Sequence, residues 1–479
     1  MSHNVPRLVI AGLKGGSGKT TLSLGLIRAL KRKGLKVVPF KKGPDYIDAG
    51  WLAGAAEHPC YNLDPFLVGS DRLLSSFIAH AEESDIAVIE GNRGLYDGMD
   101  PEGTCSTAEV AKLLRSPVIL IVDCAKVTRT VAALIVGVQK FDPQLMLGGI
   151  VLNRIAGSRH ESVVRKSIEN YCGIPVLGAM PRSDAGDFPE RHMGLLPLYE
   201  HPDTAKAISF VEEIAVRYLD LEGILKIAKS AGPIASRQAA EGRARKEGPQ
   251  ALAVHTLLPR VRIGAVRDSA FQFYYPENFD ELKRCGADIV EISALSGTPL
   301  PDIDALYIGG GFPETHAIAL AENIQFRDSL RKAIEEGLPV YAECGGLMYL
   351  GEGLLLEGRT YPMAGIFPLV FSLEKKPQAH GYSVVEVVKN NPFYPQGTIL
   401  RGHEFHYSKP HTMIEEMNSF SYAFRVDRGQ GIHGKMDGIC YKNVLATYTH
   451  LHAFGAREWV VGIVKQATEF RERKALRRV

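Results

Sequence analysis

The feature that most constrains this chain is a glycine-rich loop near its start, residues 12–21 (GLKGGSGKTT). Residues 8–11 before the loop are apolar, and residues 22–30 after it have a helical pattern. In this order of strand, loop and helix, backbone N–H groups and a helix N-terminus can bind a phosphate. The sequence therefore predicts a P-loop in an α/β domain, with these candidate cofactor-binding residues: Gly15, Gly16, Gly18, Lys19, Thr20 and Thr21.

Within this loop, Lys19 can bridge phosphates and the Thr20 hydroxyl can ligate Mg²⁺. We therefore expect ATP and Mg²⁺ as cofactors. The usual spacing puts a glycine at position 13, where this chain has Leu13 and keeps Gly12 instead. Lys14 gives the loop the spelling KGGxGKT, which is typical of dimeric partition-type ATPases. A glycine-rich turn without nucleotide is the alternative, and the flanking strand and helix disfavour it.

Carboxylates follow two other strand-like segments of the first half. The carboxyl ends of neighbouring parallel strands open into the crevice where ligands bind. Magnesium takes a few carboxylate oxygens and leaves other positions to water and phosphate. The sequence therefore predicts that some of these carboxylates surround the phosphate site; they are Asp45, Asp48, Glu90 and Asp97.

A second group of reactive residues is centred on Cys344, in the segment AECGG at 342–346. Small neighbours permit a sharp strand-to-helix elbow that exposes a nucleophile. A thiol needs a base, and His450 is the candidate. Gly310 and Gly311 follow a strand-like segment, and their N–H groups are candidates for an oxyanion hole. Taken alone, Cys344 is more typical of a buried small hydrophobe than of a nucleophile, but the elbow, glycine turn and late histidine together favour catalysis.

Composition indicates a large globular enzyme. A chain of 479 residues, 45% of them apolar and 23% charged, can form two α/β domains with separate cores. The net charge of +2 gives no general attraction to nucleic acid or membrane, and we expect neither as a partner. Seven scattered cysteines without C-x-x-C pairs indicate neither a zinc ribbon nor a disulfide framework. We expect a cytoplasmic protein without a signal peptide or membrane span.

Strand-like and helical segments alternate through the first half, as in a doubly wound parallel sheet. The pattern fades after about residue 225, and residues 229–250 are rich in small, charged, glycine and proline residues. A second α/β pattern starts near residue 261. We predict a first domain at 1–225, a linker at 226–259 and a second domain at 260–479.

Six longer segments are distinctive: KGPDYID (42–48), EGNRGLYDG (90–98), YYPEN (274–278), GGGFPE (309–314), AECGGLMYL (342–350) and RGHEFHYS (401–408). Together they resemble the cobyrinate a,c-diamide synthase family, and the resemblance runs nearly end to end. It implies an N-terminal ATP-dependent amidoligase similar to dethiobiotin synthetase and a C-terminal class I glutamine amidotransferase domain of flavodoxin-like α/β fold. Members convert peripheral tetrapyrrole carboxylates to amides with glutamine as the nitrogen source.

The resemblance also implies roles for single residues. Lys19 and Thr20 would hold ATP and Mg²⁺, and the metal ligands would be Thr20, Asp45 and Glu90. The substrate carboxylate would be positioned by Asp48 and Asp97. Asn153 would contact adenine, with a turn residue as the alternative. Cys344 would be the glutaminase nucleophile and His450 its base.

The residues after the candidate base His450 differ from those of many class I glutaminases. Many class I glutaminases have His-x-Glu, whereas this chain has His452 at the third position. The orienting carboxylate is therefore elsewhere or absent. His403 and His406 raise a metal alternative, but their spacing is not H-E-x-x-H, and a local hydrogen-bond network is favoured.

The expected partners are a tetrapyrrole polycarboxylate and glutamine, and a homodimer is one expected assembly. Cobyrinate is the first expected substrate; sirohaem and nickel-sirohydrochlorin are alternatives, which the unusual segment 376–383 (KPQAHGYS) favours without deciding. Ammonia is expected to travel by an internal route between domains or subunits.

A partition-type ATPase is a distant alternative because it does not explain Cys344. A catalytically silent regulatory protein is another, and intact Lys19, Cys344 and His450 disfavour it.

Overall fold

The structure is a computed structural model that describes residues 2–182, 190–191, 194–235, 260–413 and 420–476. The chain divides into two compact units. The first comprises Met1–Pro65 and Gly69–Lys246, and the second comprises Phe66–Val68 and Glu247–Val479. Most of the predicted linker, residues 236–259, lies outside the described residues.

The core of the first unit is a seven-stranded sheet with the order β4-β3-β5-β2-β6-β7-β8. Every neighbouring pair is parallel. The central strands are buried along their whole length because helices cover both faces, which explains their continuous apolar sequences. The strands are β2 Arg7–Gly12, β3 Val37–Lys42, β4 Tyr61–Leu63, β5 Ile86–Glu90, β6 Val118–Asp123, β7 Leu147–Ile155 and β8 Val176–Pro181.

Helices connect these strands, and α1 packs its apolar residues against the sheet. Short strands pair outside the main sheet: β1 Ser2–His3 with β11 Ile234–Ala235, and β9 Glu190–Arg191 with β10 Gly194–Leu195. A 3₁₀ turn spans Leu198–Glu200. The helices up to residue 229 are α1 Lys19–Arg32, α2 Ile47–Ala56, α3 Pro65–Val68, α4 Ser70–Ala81, α5 Thr107–Leu113, α6 Thr130–Phe141, α7 Ser158–Cys172, α8 Thr204–Tyr218 and α9 Leu221–Lys229. Of these, α3 belongs to the second unit from Phe66 onward.

The predicted boundary at residue 225 falls inside α9, which spans Leu221–Lys229. That helix buries Leu221, Ile224 and Ala228 in the core of the first unit. The chain then continues into β11, which pairs with β1. Glycine and proline follow soon after α9 in the sequence, so the last turns of this unit resemble the start of a linker.

The second unit contains a ten-stranded sheet with the order β13-β12-β14-β15-β24-β23-β22-β19-β20-β25. Its first five strands are parallel and its remaining pairs are antiparallel. The strands are β12 Val261–Val266, β13 Ala287–Ile292, β14 Ala305–Ile308, β15 Val340–Glu343, β19 Ala379–Val387, β20 Ile399–His406, β22 Ser421–Arg428, β23 Met436–Tyr441, β24 Val444–Thr447 and β25 His450–Leu451.

A four-stranded sheet of order β17-β16-β18-β21 follows the elbow region. It comprises β16 Gly351–Leu356, β17 Arg359–Pro362, β18 Phe367–Leu373 and β21 Ser408–Met413. The helices are α10 Pro276–Arg284, α11 Ala317–Glu322, α12 Ile324–Glu335, α13 Gly345–Leu350 and α14 Arg457–Leu476, with a 3₁₀ turn at Pro313–His316. Among the described residues, no helix is both long and apolar enough to cross a membrane.

The predicted fold class is confirmed for both units: each is an α/β structure around a sheet with parallel strands. In each unit, a parallel strand ends at the residues that carry the predicted chemistry. β2 leads into the glycine-rich loop, and β15 leads into Cys344. This follows from the general geometry of such sheets, in which ligands bind beyond the carboxyl ends of the strands.

Candidate active sites

The glycine-rich loop has backbone angles that require glycine. Gly16 has φ 67° and Gly18 has φ 95°. A Cβ on Gly18 would lie 2.3 Å from the Asn153 side-chain nitrogen, so a larger residue would displace that amide. Asn153 in turn donates to the Ser17 carbonyl over 2.9 Å. The loop is thus fixed by β7 from behind, as a preformed phosphate cradle requires.

Lys19 begins α1 and points back over this loop. Its ammonium group donates to the carbonyls of Lys14 at 3.3 Å and Arg93 at 2.8 Å. Burial lowers the pKa of Lys19, and the nearby charge of Lys41 lowers it further. A buried ammonium group that donates to two loop carbonyls attracts a phosphate anion strongly.

Three of the four predicted carboxylates surround a residue that the sequence did not single out, Lys41 at the end of β3. Its ammonium group donates to Asp48 and Glu90, each at 2.7 Å, and lies 3.9 Å from Asp45. Burial alone would lower the pKa of Lys41, but Asp48 and Glu90 raise it well above its ordinary value. The cluster therefore carries a permanent positive charge at its centre.

The residues predicted to bind Mg²⁺ fit that ion in part. The Thr20 hydroxyl donates to Glu90 Oε1 at 2.9 Å, so hydroxyl and carboxylate are adjacent. Glu90 is fully buried, and its Oε2 has no hydrogen-bond partner among the described residues. Within the same residues, no cluster of three or more His, Cys, Asp or Glu has metal-binding geometry. Two protein oxygens suffice when phosphates and water complete the shell, so the metal assignment stays a prediction.

The three residues predicted to contact the substrate or adenine have local partners. Asp97 accepts a hydrogen bond from the Gly94 N–H at 2.8 Å and contributes to the charge around Lys19. Asp48 is joined to Lys41. Asn153 lies against the P-loop, as described. Their assigned roles toward substrate and adenine stay predictions.

The second site is an elbow at Cys344. Its backbone has φ 47°, a left-handed conformation that is costly for any residue with a side chain. The Cys344 N–H donates to the Thr447 carbonyl at 2.8 Å, which ties the elbow to the strand before the histidine. Gly345 and Gly346 leave no room for side chains beside the turn. Strain held by such contacts is typical of a nucleophile elbow.

His450 lies in the same cluster and is hydrogen-bonded to Cys344. Its Nδ1 lies 3.2 Å from Glu343 Oε2. Burial alone would lower the pKa of His450, but the hydrogen bonds to Cys344 and Glu343 and their charges raise it to about 10. The imidazole is therefore placed to act as the base of the Cys344 nucleophile.

The predicted glycine turn reaches both partners. A Cβ on Gly310 would lie 2.5 Å from His450 Cε1, and a Cβ on Gly345 would lie 2.9 Å from the Gly311 nitrogen. The turn therefore passes close to the histidine and to the elbow. This proximity supports an oxyanion hole at Gly310 and Gly311, and that role stays a prediction.

The histidines that raised a metal alternative have other partners. His403 stacks on His450, with ring centroids 4.9 Å apart, and its Nδ1 is 3.2 Å from the Tyr275 hydroxyl. His406 stacks on Tyr448 at 3.6 Å, and its Nδ1 lies 2.8 Å from the Ser408 carbonyl. These contacts form the local network that the spacing favoured.

Sequence reasoning missed two residues, Lys41 and Glu343. Lys41 is the first of two lysines that follow the apolar residues of β3, and a buried lysine in such a strand needs carboxylate partners. That was the available signal. Glu343 directly precedes the nucleophile, but neighbouring strand residues normally point to opposite faces, so its contact with His450 was not predicted.

Comparisons with known proteins agree with this geometry. Residues 8–196 match the model of the CobQ/CobB/MinD/ParA nucleotide binding domain. Residues 262–458 match the model of the CobB/CobQ-like glutamine amidotransferase domain. The two matched regions contain the glycine-rich loop and the cysteine elbow, respectively.

Three relatives are similar over nearly their full length, and all are named cobyrinate a,c-diamide synthase. The protein of Magnetococcus marinus is 42% identical over 96% of this chain and 96% of its own. That of Archaeoglobus fulgidus is 40% identical over 97% and 98%. That of Dehalococcoides mccartyi strain 195 is 39% identical over 94% and 95%.

Proposed function

This chain belongs to the cobyrinate a,c-diamide synthase family, and from that premise we propose that it amidates the a and c acetate carboxylates of cobyrinate. Glutamine is the nitrogen source, and ATP activates each carboxylate. The observation that carries the proposal is the presence in one chain of a P-loop with a lysine–carboxylate cluster and a cysteine elbow with a buried histidine. Each site supplies half of the reaction.

The first unit performs the activation. A carboxylate oxygen of the substrate attacks the γ-phosphorus of ATP, the bond to the ADP oxygen breaks, and an acyl phosphate forms. Lys19 and the loop N–H groups stabilise the charge on the transferring phosphoryl group. Thr20, Asp45 and Glu90 would hold Mg²⁺, which would neutralise phosphate charge. Asp48 and Asp97 would position the substrate, and Asn153 would contact the adenine.

Lys41 has a specific part in this step. It joins Asp48 and Glu90, so one cation lies between a residue proposed for the substrate and one proposed for the metal. Without that cation, three buried or half-buried carboxylates would repel both the substrate carboxylate and ATP. Lys41 therefore lowers the electrostatic cost of bringing another anion into the cluster.

The second unit supplies ammonia. The Cys344 sulfur attacks the side-chain amide carbon of glutamine, and the oxyanion is stabilised by the N–H groups of Gly310 and Gly311. The carbon–nitrogen bond breaks as His450 donates a proton to the leaving ammonia. Water then hydrolyses the glutamyl thioester and frees the thiol. Ammonia attacks the acyl phosphate, phosphate leaves, and the amide forms.

The substrate, the compartment and the assembly are parts of the same proposal. The relatives' name supports cobyrinate, with sirohaem and nickel-sirohydrochlorin as the alternatives, since the ATP and glutamine residues serve any tetrapyrrole acetate. We propose a cytoplasmic enzyme, a homodimer as its assembly and an enclosed route for ammonia.

The test is direct. The purified protein is incubated with ATP, Mg²⁺, glutamine and each tetrapyrrole in turn, and the products are weighed by mass spectrometry. We expect two carboxyl-to-amide conversions on cobyrinate. If sirohaem or nickel-sirohydrochlorin is converted and cobyrinate is not, the converted tetrapyrrole is the substrate. ATP hydrolysis without any amide product would contradict the proposed function.

A further inference from the structure

The histidine of a cysteine–histidine pair works only if its ring is held in one orientation and one tautomer. In this chain the position two residues after the base is His452, which cannot serve as a carboxylate. His452 instead lies 3.5 Å from Glu277, and both are buried. If a carboxylate orients His450, it therefore comes from another element.

Glu343 has the geometry for that task. It is fully buried at the end of β15, and its Oε2 lies 3.2 Å from His450 Nδ1 and accepts the Tyr307 hydroxyl at the same distance. Its Oε1 accepts the Leu451 N–H at 3.2 Å. Both oxygens are engaged, so the side chain has no freedom to turn away from the histidine.

The elbow explains how neighbours in sequence reach one imidazole. In a regular strand, Glu343 and Cys344 would point to opposite faces. The left-handed backbone of Cys344, with φ 47°, breaks that alternation at the nucleophile. Both side chains then bond to His450. The strained turn thus does more than expose the sulfur, because it also brings the preceding carboxylate to the base.

We propose that Glu343 is the positioning residue for His450, so that this glutaminase uses a Cys344–His450–Glu343 relay in which the carboxylate directly precedes the nucleophile. The inference rests on the proposed function for the glutaminase half alone. The bond from Nδ1–H to Glu343 leaves Nε2 as the nitrogen that exchanges a proton with Cys344 and with the leaving ammonia.

The other groups around His450 do not replace Glu343. Tyr307 bonds to the carboxylate, and its hydroxyl pKa is held high by burial and by Glu343. His403 stacks on the ring, and burial, together with the charge of His450, lowers its pKa well below the ordinary value, so it is neutral. Tyr275 contacts His403. Of the described groups named here around His450, Glu343 is the carboxylate, and it bonds directly to the ring.

The test compares Glu343→Gln with the matched control Glu277→Gln, since each removes the carboxylate beside one buried histidine. Glutaminase activity is measured without tetrapyrrole, as kcat/KM against pH. We expect Glu343→Gln to lower kcat by about 100-fold or more, by analogy with loss of the orienting carboxylate in other triads. Without the charge of Glu343, the pKa of His450 falls, and His450 loses its proton at lower pH. The alkaline limb of the profile therefore shifts to lower pH.

Glu277→Gln should leave the alkaline limb of the profile unchanged, because Glu277 lies beside His452 and not beside His450. The glutamine amine titrates equally in all variants and cancels in the comparison. Amidation with ammonium salt should persist in both variants, which reports an intact protein. A wild-type alkaline limb in Glu343→Gln would overturn the proposal.

A structural role is distinguished by Glu343→Asp. If Glu343→Gln also loses ammonia-dependent amidation, Glu343→Asp should restore that amidation, because aspartate keeps the carboxylate. The alkaline limb of the Glu343→Asp profile should then lie between that of the wild type and that of Glu343→Gln. Loss of ammonia-dependent amidation in both variants would show that Glu343 only supports the fold, and would contradict the proposal. If the wild type fails to amidate any tetrapyrrole while the glutaminase limb still shifts, the proposed function fails and the role of Glu343 stands.

Discussion

The two sites of this chain solve opposite electrostatic problems. In the first unit, side chains of Asp45 and Asp48 are 25% and 22% exposed, and their charge is balanced by the buried Lys41. In the second unit, Glu343 and His450 are 1% and 3% exposed and bond to each other. The first site is open to a charged ligand, whereas the second is assembled before any ligand arrives.

This difference follows from what each site must bind. ATP and a polycarboxylate bring several negative charges, so the first site needs cations and a metal whose arrangement changes when the ligands enter. Glutamine brings no net charge, and its reaction needs one activated thiol in a site with little water. Substitutions should accordingly affect the two sites in different ways.

The largest expected effect is that of Lys19→Ala. This variant removes the cation that stabilises the transferring phosphoryl group, and we expect a loss of amidation of about 1,000-fold or more with either glutamine or ammonia. Glutaminase activity without tetrapyrrole should persist. The control is Lys33→Ala at the other end of the same helix. Normal amidation by Lys19→Ala would remove the ATP-site assignment.

The next effect concerns the metal. Glu90→Gln keeps the shape of the side chain but removes its charge, so we expect the Mg²⁺ concentration at half-maximal amidation to rise about 10- to 100-fold. Asp45→Asn should act in the same direction, and Asp85→Asn, just before β5, is the control. If Glu90→Gln and Asp45→Asn both match the wild type at limiting Mg²⁺, the assigned ligands are wrong.

Alanine substitution of one glycine in each site distinguishes the two sites and should have a smaller effect on amidation. Gly18→Ala would place a Cβ 2.3 Å from the Asn153 amide, and Gly311→Ala would place one 2.0 Å from the Ala270 carbonyl. Strain of about 1–3 kcal/mol corresponds to a loss of about 5- to 160-fold. We expect Gly18→Ala to slow amidation with both nitrogen sources and Gly311→Ala to slow only the glutamine-dependent reaction. Equal effects on both reactions by both variants would contradict the separation.

The smallest expected effect is that of Asn153→Ala. It removes one hydrogen bond to the Ser17 carbonyl and the proposed adenine contact. One such bond is worth about 0.5–1.5 kcal/mol, so the KM for ATP should rise about 2- to 12-fold. The KM for GTP is the comparison. If both nucleotides are affected alike, Asn153 supports the loop only and does not contact adenine.

Local motifs were predictable from the sequence because they combine several short-range signals. The P-loop has strand, glycines, lysine and helix in order, and the structure contains each of them. The parallel strands of the first unit were predicted from apolar runs, which burial on both faces enforces. Strand β4, at Tyr61–Leu63, was missed because three residues give no periodicity.

Contacts between distant residues were not predictable in the same way. Lys41 is recognised as part of the site only when β3 and β5 are side by side, which brings Glu90 to it. Glu343 faces His450 only because Cys344 has a left-handed backbone. The antiparallel part of the ten-stranded sheet was also not predicted, since its pairings depend on register between segments far apart in sequence.

The central claim is that the chain contains two separable chemistries, and Cys344→Ala tests it most directly. Amide formation is measured with glutamine and, separately, with ammonium salt at a pH where free ammonia is appreciable. We predict that glutamine-dependent amidation is abolished and that ammonia-dependent amidation is retained, because Lys19 and ATP form the acyl phosphate without the thiol. Loss of the ammonia-dependent reaction in a folded Cys344→Ala protein would contradict the account, as would full activity with glutamine.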